Sequence, residues 1–173
     1  GMQVEWVSVP RSVVESLLAH DARCIAVGTT SVRTLESLYY IGLIIYNHER
    51  RGTPLENLTP DDLHVAQWLP YADDDDAVGE GLCPAHEALH AIWRYLDAVE
   101  KEVLATSTQI IIAPGYRFHI VRTIITNFHQ PQSALLLLVS AFMGGDWRKV
   151  YDYALEHGFR FLSYGDSSIL NYD

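Results

Sequence analysis

A chain of 173 residues, nearly half of them hydrophobic and about a fifth charged, is long enough for one domain with a sizeable core and has a folded, water-soluble composition. Its formal net charge of −10 argues against holding nucleic acid unaided, because neutralised phosphates supply most such affinity, and it suits a cationic ligand better. The longest apolar run, Ser133 to Met143, is too short to span a bilayer. Gly1-Met2 opens with neither a basic n-region nor an apolar h-region, so no secretory signal is expected.

In chain order, Pro10 and Ser12 open a predicted helix with Val13, Val14, Leu17 and Leu18 on one face, at the i, i+3, i+4 spacing of a half-buried helix. Arg23-Cys24-Ile25-Ala26-Val27 reads as a short buried strand ending at Gly28. Thr29-Thr30-Ser31 then offers N-cap chemistry for a second helix over 32–40. Residues 43–105 form an elaboration on the core: irregular and proline-rich at first, with Asp73-Asp74-Asp75-Asp76, then a long helix from Pro84 through Leu89, Ile92, Trp93, Leu96, Val99 and Val103. From Thr108 onward, strands are predicted over 110–112, 118–121, 124–128 and 160–163, with helices after Ser133 and over 147–157. The fold class is therefore α/β, a mixed or mostly parallel sheet flanked by helices in a single domain. Cys24 and Cys83 belong to no CxxC pair, which fits a reducing, cytoplasmic home and no disulfide framework.

Three polar strand ends carry the candidate chemistry. Gly28, Thr29, Thr30 and Ser31 form a strand-to-helix turn whose free N–H groups and hydroxyls receive anions or polar ligand groups, with Arg33 able to fork onto a carboxylate or phosphate; a plain capped helix with an exposed arginine explains the same residues. Asn127 and His129 lie where a strand meets a loop, and His129 can exchange a proton near neutral pH; a structural loop is the alternative. Tyr164, Gly165 and Asp166 place a carboxylate and a ring face beside a strand end, where a sulfonium would be attracted, although a chain-terminal turn accounts for them equally. A fourth pattern, His86-Glu87-Ala88-Leu89-His90, puts two imidazoles on one helix face as a zinc hydrolase requires. No third ligand is evident, so no metal site is expected.

The segments RCIAVGTTSVRTLES (23–37), PGYRF (114–118), ITNFHQPQSALLLLVS (125–140) and FRFLSYGD (159–166) resemble, in order and spacing, the S-adenosylmethionine:tRNA ribosyltransferase-isomerase family of queuosine biosynthesis. The resemblance implies that the chain is the carboxy-terminal part of a larger enzyme. In that family S-adenosylmethionine is a substrate, a ribosyl donor to the aminomethyl group of a 7-deazaguanine in tRNA, and no further cofactor is implied. It assigns proton transfer to His129 with Asp166 as charge partner or alternative base, and places Gly28, Thr29, Thr30, Ser31, Arg33, Asn127, Tyr164 and Gly165 around the donor or the reacting base. The sequence departs from the family pattern at Gln3-Val4, Gln132 and Ala134; a Lys is frequent where Gln132 stands, and its charge would meet phosphate. The alternatives are a non-catalytic nucleoside-binding or partner-completing module of the same descent, and the zinc hydrolase. The partners implied are S-adenosylmethionine, and tRNA in the intact enzyme; no membrane is involved. A sheet edge left open would promote self-association.

Overall fold

Strict alternation sets the first strand: along β1, Glu5–Pro10, Val7 and Val9 point inward while Trp6 and Ser8 face solvent. The computed structural model describes residues 3–72, 82–127, 134–144, 152, 156 and 167–172. Strand β1 feeds directly into α1, Arg11–Ala19, whose buried residues are Val14 and Leu17. Strand β2, Cys24–Val27, leads through Gly28 into α2, Thr29–Arg50. Three short 3-10 turns at Leu55–Asn57, Pro60–Leu63 and Leu69–Tyr71 precede α3, Ala85–Ala98. Strands β3, Val103–Thr108, and β4, Val121–Asn127, follow, then α4, Ala134–Met143, and β5, Ser167–Asn171.

The strands form two small sheets. One is the antiparallel pair β1–β3, with Trp6 opposite Ser107 and Ser8 opposite Ala105. The other has the order β2–β4–β5, with β2 and β4 parallel and β5 antiparallel to β4. This is the expected α/β class with a mixed sheet. Helix α2 runs between the sheets and α3, and its residues Leu38, Tyr39, Ile41, Leu43 and Ile45 are fully buried. They form one continuous core with Leu89, Ile92 and Leu96 of α3, Leu104 of β3 and Ile124 of β4.

Helix α2 is longer than the predicted 32–40. Glycine at 42 looks like a breaker, costing about 1 kcal/mol against alanine in a helix interior. Here it is a packing residue: a Cβ on Gly42 would lie 2.2 Å from the Ala88 carbonyl oxygen. The helices meet backbone to backbone at that point, and only glycine permits the approach. Residues 43–50, read from sequence as the start of the elaboration, are the second half of this buried helix.

The predicted strand over 110–112 is not a strand, although Ile110 and Ile112 are buried. The partner of β1 lies earlier, at Val103–Thr108, where the helical pattern had been extended to Val103. Helix α3 stops sooner because Glu100 takes φ 56° and the Lys101 N–H returns to the Leu96 carbonyl at 2.9 Å. No glycine marks that stop. The predicted strand over 118–121 is replaced by a loop leading into β4, because the N–H groups of 119–121 donate to the Glu36 side chain. The predicted segments 147–157 and 160–163 fall outside the described residues, apart from Asp152 and Glu156, which are helical. No described helix is long and apolar enough to cross a membrane.

Candidate functional site

Strands β2 and β4 run in parallel to the same end of the sheet. Val27 stands beside Ile125, and the Gly28 N–H donates to the Ile125 carbonyl at 2.8 Å. Gly28 turns the chain with φ 84°, a conformation that disfavours any side chain although nothing lies within 4 Å of where its Cβ would be. Helix α2 starts at the next residue. No side chain caps it, so the N–H groups of Thr29, Thr30 and Ser31 form an open, partly positive helix end beneath exposed Thr30 and Ser31 hydroxyls, while Thr29 is almost buried.

Strand β4 continues two residues further, to Asn127, which pairs with Ser167 at the start of β5. The ends of β2 and β4 and the beginning of β5 therefore gather at one end of the sheet. Of the sequence-predicted residues, Gly28, Thr29, Thr30, Ser31 and Asn127 are brought together there. His129, Tyr164, Gly165 and Asp166 lie outside the described residues; in the chain, His129 follows Asn127 by two positions and Asp166 immediately precedes Ser167. Beside the turn runs an apolar groove of about 290 Å³, with Ser8, Val9 and Val13 on one wall and Thr30, Ser31 and Leu35 on the other.

Arg33 is turned away from this end. Its guanidinium forms an ion pair with Glu5, and its Nε and Nη2 donate to the Ile110 carbonyl at 3.3 and 3.1 Å. The fork of Nε and Nη2 thus closes on a backbone carbonyl and only Nη1 reaches a carboxylate, Glu5 of β1, so Arg33 braces α2 against the other sheet.

The residue that sequence reasoning passed over is Glu36. It is fully buried, no described cation forms an ion pair with it, and its carboxylate accepts four hydrogen bonds. Tyr116 Oη and the His119 N–H donate to Oε1 at 2.7 and 2.8 Å, and the Ile120 and Val121 N–H groups donate to Oε2 at 2.9 and 2.8 Å. Burial pushes the carboxyl above its ordinary range, and the four donors oppose that shift. The backbone groups of 119–121 that would otherwise extend β4 are spent on this carboxylate, which is why the loop persists to Val121. One signal was available: Glu36 sits on the stripe Val32, Tyr39, Leu43, where an apolar residue belongs. Next to it His119 stacks on Tyr39, with centroids 3.7 Å apart, and its Nε2 lies 3.3 Å from the Tyr40 hydroxyl. Burial, then the nearby Arg117 and Arg122, depress the imidazole to about 4 and hold it neutral.

His86 and His90 sit on α3 and are exposed. Among the described residues no group of three or more His, Cys, Asp or Glu is placed to hold a metal ion.

The model of the family described as queuosine biosynthesis protein matches residues 77–170, more than half of the chain. The S-adenosylmethionine:tRNA ribosyltransferase-isomerases of Paraburkholderia xenovorans and Burkholderia cenocepacia are 34% and 35% identical over 98% of this chain. The chain spans about a third of the length of these relatives, with 34% of each covered. A crystal structure of S-adenosylmethionine tRNA ribosyltransferase from Thermotoga maritima superposes with a TM-score of 0.53 at 26% identity, over 95% of this chain and 40% of that one. On the strength of that family match, which covers more than half of the sequence, the chain belongs to the queuosine biosynthesis protein family.

Proposed function

We propose that this chain carries part of the donor site of an S-adenosylmethionine:tRNA ribosyltransferase-isomerase and contributes to transfer and isomerisation of the ribosyl group onto a 7-aminomethyl-7-deazaguanine in tRNA. The observation that carries the proposal is the meeting of Gly28, the uncapped start of α2, Asn127 and Ser167 at one end of a mixed sheet. Ligands of open α/β sheets bind at such strand ends.

In this reading the N–H groups and hydroxyls of Thr29, Thr30 and Ser31 hold polar atoms of the donor, with Gly28 allowing close approach and Asn127 fixing its orientation. Arg33 braces the turn through Glu5. The donor's sulfonium acidifies the adjacent C5′ hydrogens, so a modest base can take one; His129 is that base, with Asp166 as charge partner or alternative base. Tyr164 and Gly165 line the sulfonium. A reducing, cytoplasmic setting suits the two free thiols, Cys24 and Cys83. The acceptor is tRNA, engaged together with the further length that the relatives possess.

Self-association is also part of the proposal. Ile25 and Val27 of β2 and Ile169 of β5 are about two-thirds exposed, and Val27, Ile125 and Ile169 line up across the three strands. An apolar row of that kind, on a sheet whose β2 edge is unpaired among the described residues, favours pairing with a second surface.

The test is calorimetric titration of S-adenosylmethionine into the chain. Saturable binding that weakens at least fivefold in Ser31→Ala and Asp166→Ala is expected. A folded chain that takes up no S-adenosylmethionine would refute the donor site in these residues and favour a partner-completing module.

A further inference from the structure

The wall of a second cavity, of about 390 Å³, is formed by Gly115, Tyr116 and Arg117 on one side, Asn171 and Tyr172 on another, and the last turn of α4 with Gly144 on the third. It lies at the opposite end of β4 from Gly28, because β4 starts at Val121, just beyond the 115–120 loop. Its size is that of a small-ligand pocket. Three features give it a chemical character.

The first is charge. In a chain of net charge −10, the described cations Arg11, Arg33 and Arg94 are ion-paired, with Glu102, Glu5 and Glu49, while Arg23, Arg50, Arg51 and Lys101 pair with no described acid but line no part of this cavity. Arg117 is exposed and lines the cavity, and no described acid pairs with it. Arg122 lies with its guanidinium 5.3 Å from the Tyr172 ring centroid, and its buried Nε has no hydrogen-bond partner among the described residues. The second feature is an aromatic floor: Tyr172 packs against Phe118 and Phe142 with ring centroids 5.1 and 5.5 Å apart, and Phe118 packs against Tyr116 at 4.9 Å. The third is the C-terminal end of α4, whose Ala141, Phe142 and Met143 line the cavity; the Ala141 carbonyl accepts the Gly144 N–H at 3.5 Å, and the last-turn carbonyls beyond it have no intrahelical donor and can accept N–H groups. The wall is rigid, since Tyr116 is pinned to Glu36 and the Ala113 N–H to Tyr71 Oη at 2.8 Å.

A ligand that satisfies all three carries an anion, a flat ring and N–H donors on one frame. That is a nucleotide. We propose that this cavity receives one nucleotide of a single-stranded RNA segment, its phosphate on Arg117, its base against the Tyr116–Tyr172 wall, and its base N–H groups toward the end of α4. Aromatic stacking with arginine beside the backbone is how proteins hold unpaired RNA. The choice of RNA over a free nucleotide rests on the tRNA acceptor proposed above; the pocket's chemistry does not.

The test is a fluorescence-anisotropy titration of the chain with a short labelled single-stranded RNA at several salt concentrations, with adenosine monophosphate as competitor. Arg117→Ala should weaken RNA binding roughly tenfold and lower the slope of log K against log salt by about one. Tyr172→Leu should weaken it roughly fivefold or more with the salt slope kept, and Tyr172→Phe should bind as the parent does, which separates stacking from a folding defect. Parent-like binding by Arg117→Ala and Tyr172→Leu would overturn the proposal, as would a parent that binds no RNA. Adenosine monophosphate binding as tightly as the oligonucleotide would overturn the RNA assignment. RNA binding in a chain that fails to take up S-adenosylmethionine would remove the donor site and leave this pocket standing.

Discussion

Gly42→Ala is the substitution whose outcome the structure fixes most directly. The added methyl would lie 2.2 Å from the Ala88 carbonyl oxygen, 2.6 Å from its carbon and 2.8 Å from the Ala88 Cβ. Carbon contacts are comfortable at about 3.5–4.0 Å, so the α2–α3 backbones must part by roughly 1 Å. Two of the three obstructing atoms are backbone, with no rotamer to relieve the overlap. Overpacking of this kind costs about 3 kcal/mol, and replacing a helical glycine returns about 1 kcal/mol, which leaves a net loss of about 2 kcal/mol. For a chain of this size each kcal/mol shifts Tm by roughly 2–4 °C, so a fall of about 4–8 °C is expected. Urea unfolding should show a lower midpoint with the m-value unchanged. Adding Ala88→Gly should not restore stability, because it removes the Cβ and leaves the nearer carbonyl oxygen in place. A Gly42→Ala chain as stable as the parent would mean that the helices do not meet at this residue.

Glu36→Ala leaves the Tyr116 hydroxyl and three backbone N–H groups without their acceptor, at about 1–3 kcal/mol for each group that water does not reach; a loss above roughly 3 kcal/mol is expected, with Glu36→Gln intermediate, and urea unfolding of both would test it. His119 makes stability depend on pH: its folded pKa of about 4 lies below the ordinary histidine value near 6.5, so its contribution is fully present above about 6.5 and is lost as pH falls toward 4. The loss amounts to at most about 3 kcal/mol, and His119→Phe, which keeps a ring on Tyr39, should unfold with a flatter dependence over that window. A parent and variant with parallel pH profiles would show that the imidazole is not held neutral. Ile25→Lys with Ile169→Lys should shift sedimentation toward monomer if the bare face of β2–β4–β5 drives self-association; a parent already monomeric at high concentration would refute that.

What was legible in the sequence follows the range over which each signal acts. The alternation in β1 is local but the strand was not predicted, whereas the apolar run of β2 and the amphipathic stripes of α1 and α3 are equally local, and each of these elements was found at or near its place. The same holds for the polar turn at Gly28, because a glycine with positive φ between a strand and a helix is written in adjacent residues. Most of the failures are cases where a distant partner decides. Gly42 is a breaker until α3 is set beside it. Glu100 ends α3 in a left-handed conformation that carries no glycine to announce it. The 118–121 run looks like a strand, but its N–H groups are claimed by a carboxylate more than eighty positions earlier in the chain. Arg33 reads as a ligand fork because its acceptor, Glu5, stands twenty-eight residues away on another sheet.

These long-range partners share one element. Helix α2 starts at the polar sheet end with Gly28 and Thr29, ties β1 and the 110 segment to itself through Arg33, fixes the entry to β4 through Glu36, and meets α3 at Gly42. Strand β4 in turn joins the two candidate ligand regions, with Arg122 near one end and Asn127 at the other. Because the N–H groups of Ile120 and Val121 are held by Glu36, the start of β4 cannot slip without breaking those bonds. A one-residue slip would turn the buried Ile124 outward and displace Asn127 from the Gly28 turn. Loss of Glu36 should therefore disturb both regions together, whereas Arg117→Ala or Ser31→Ala should each disturb only one.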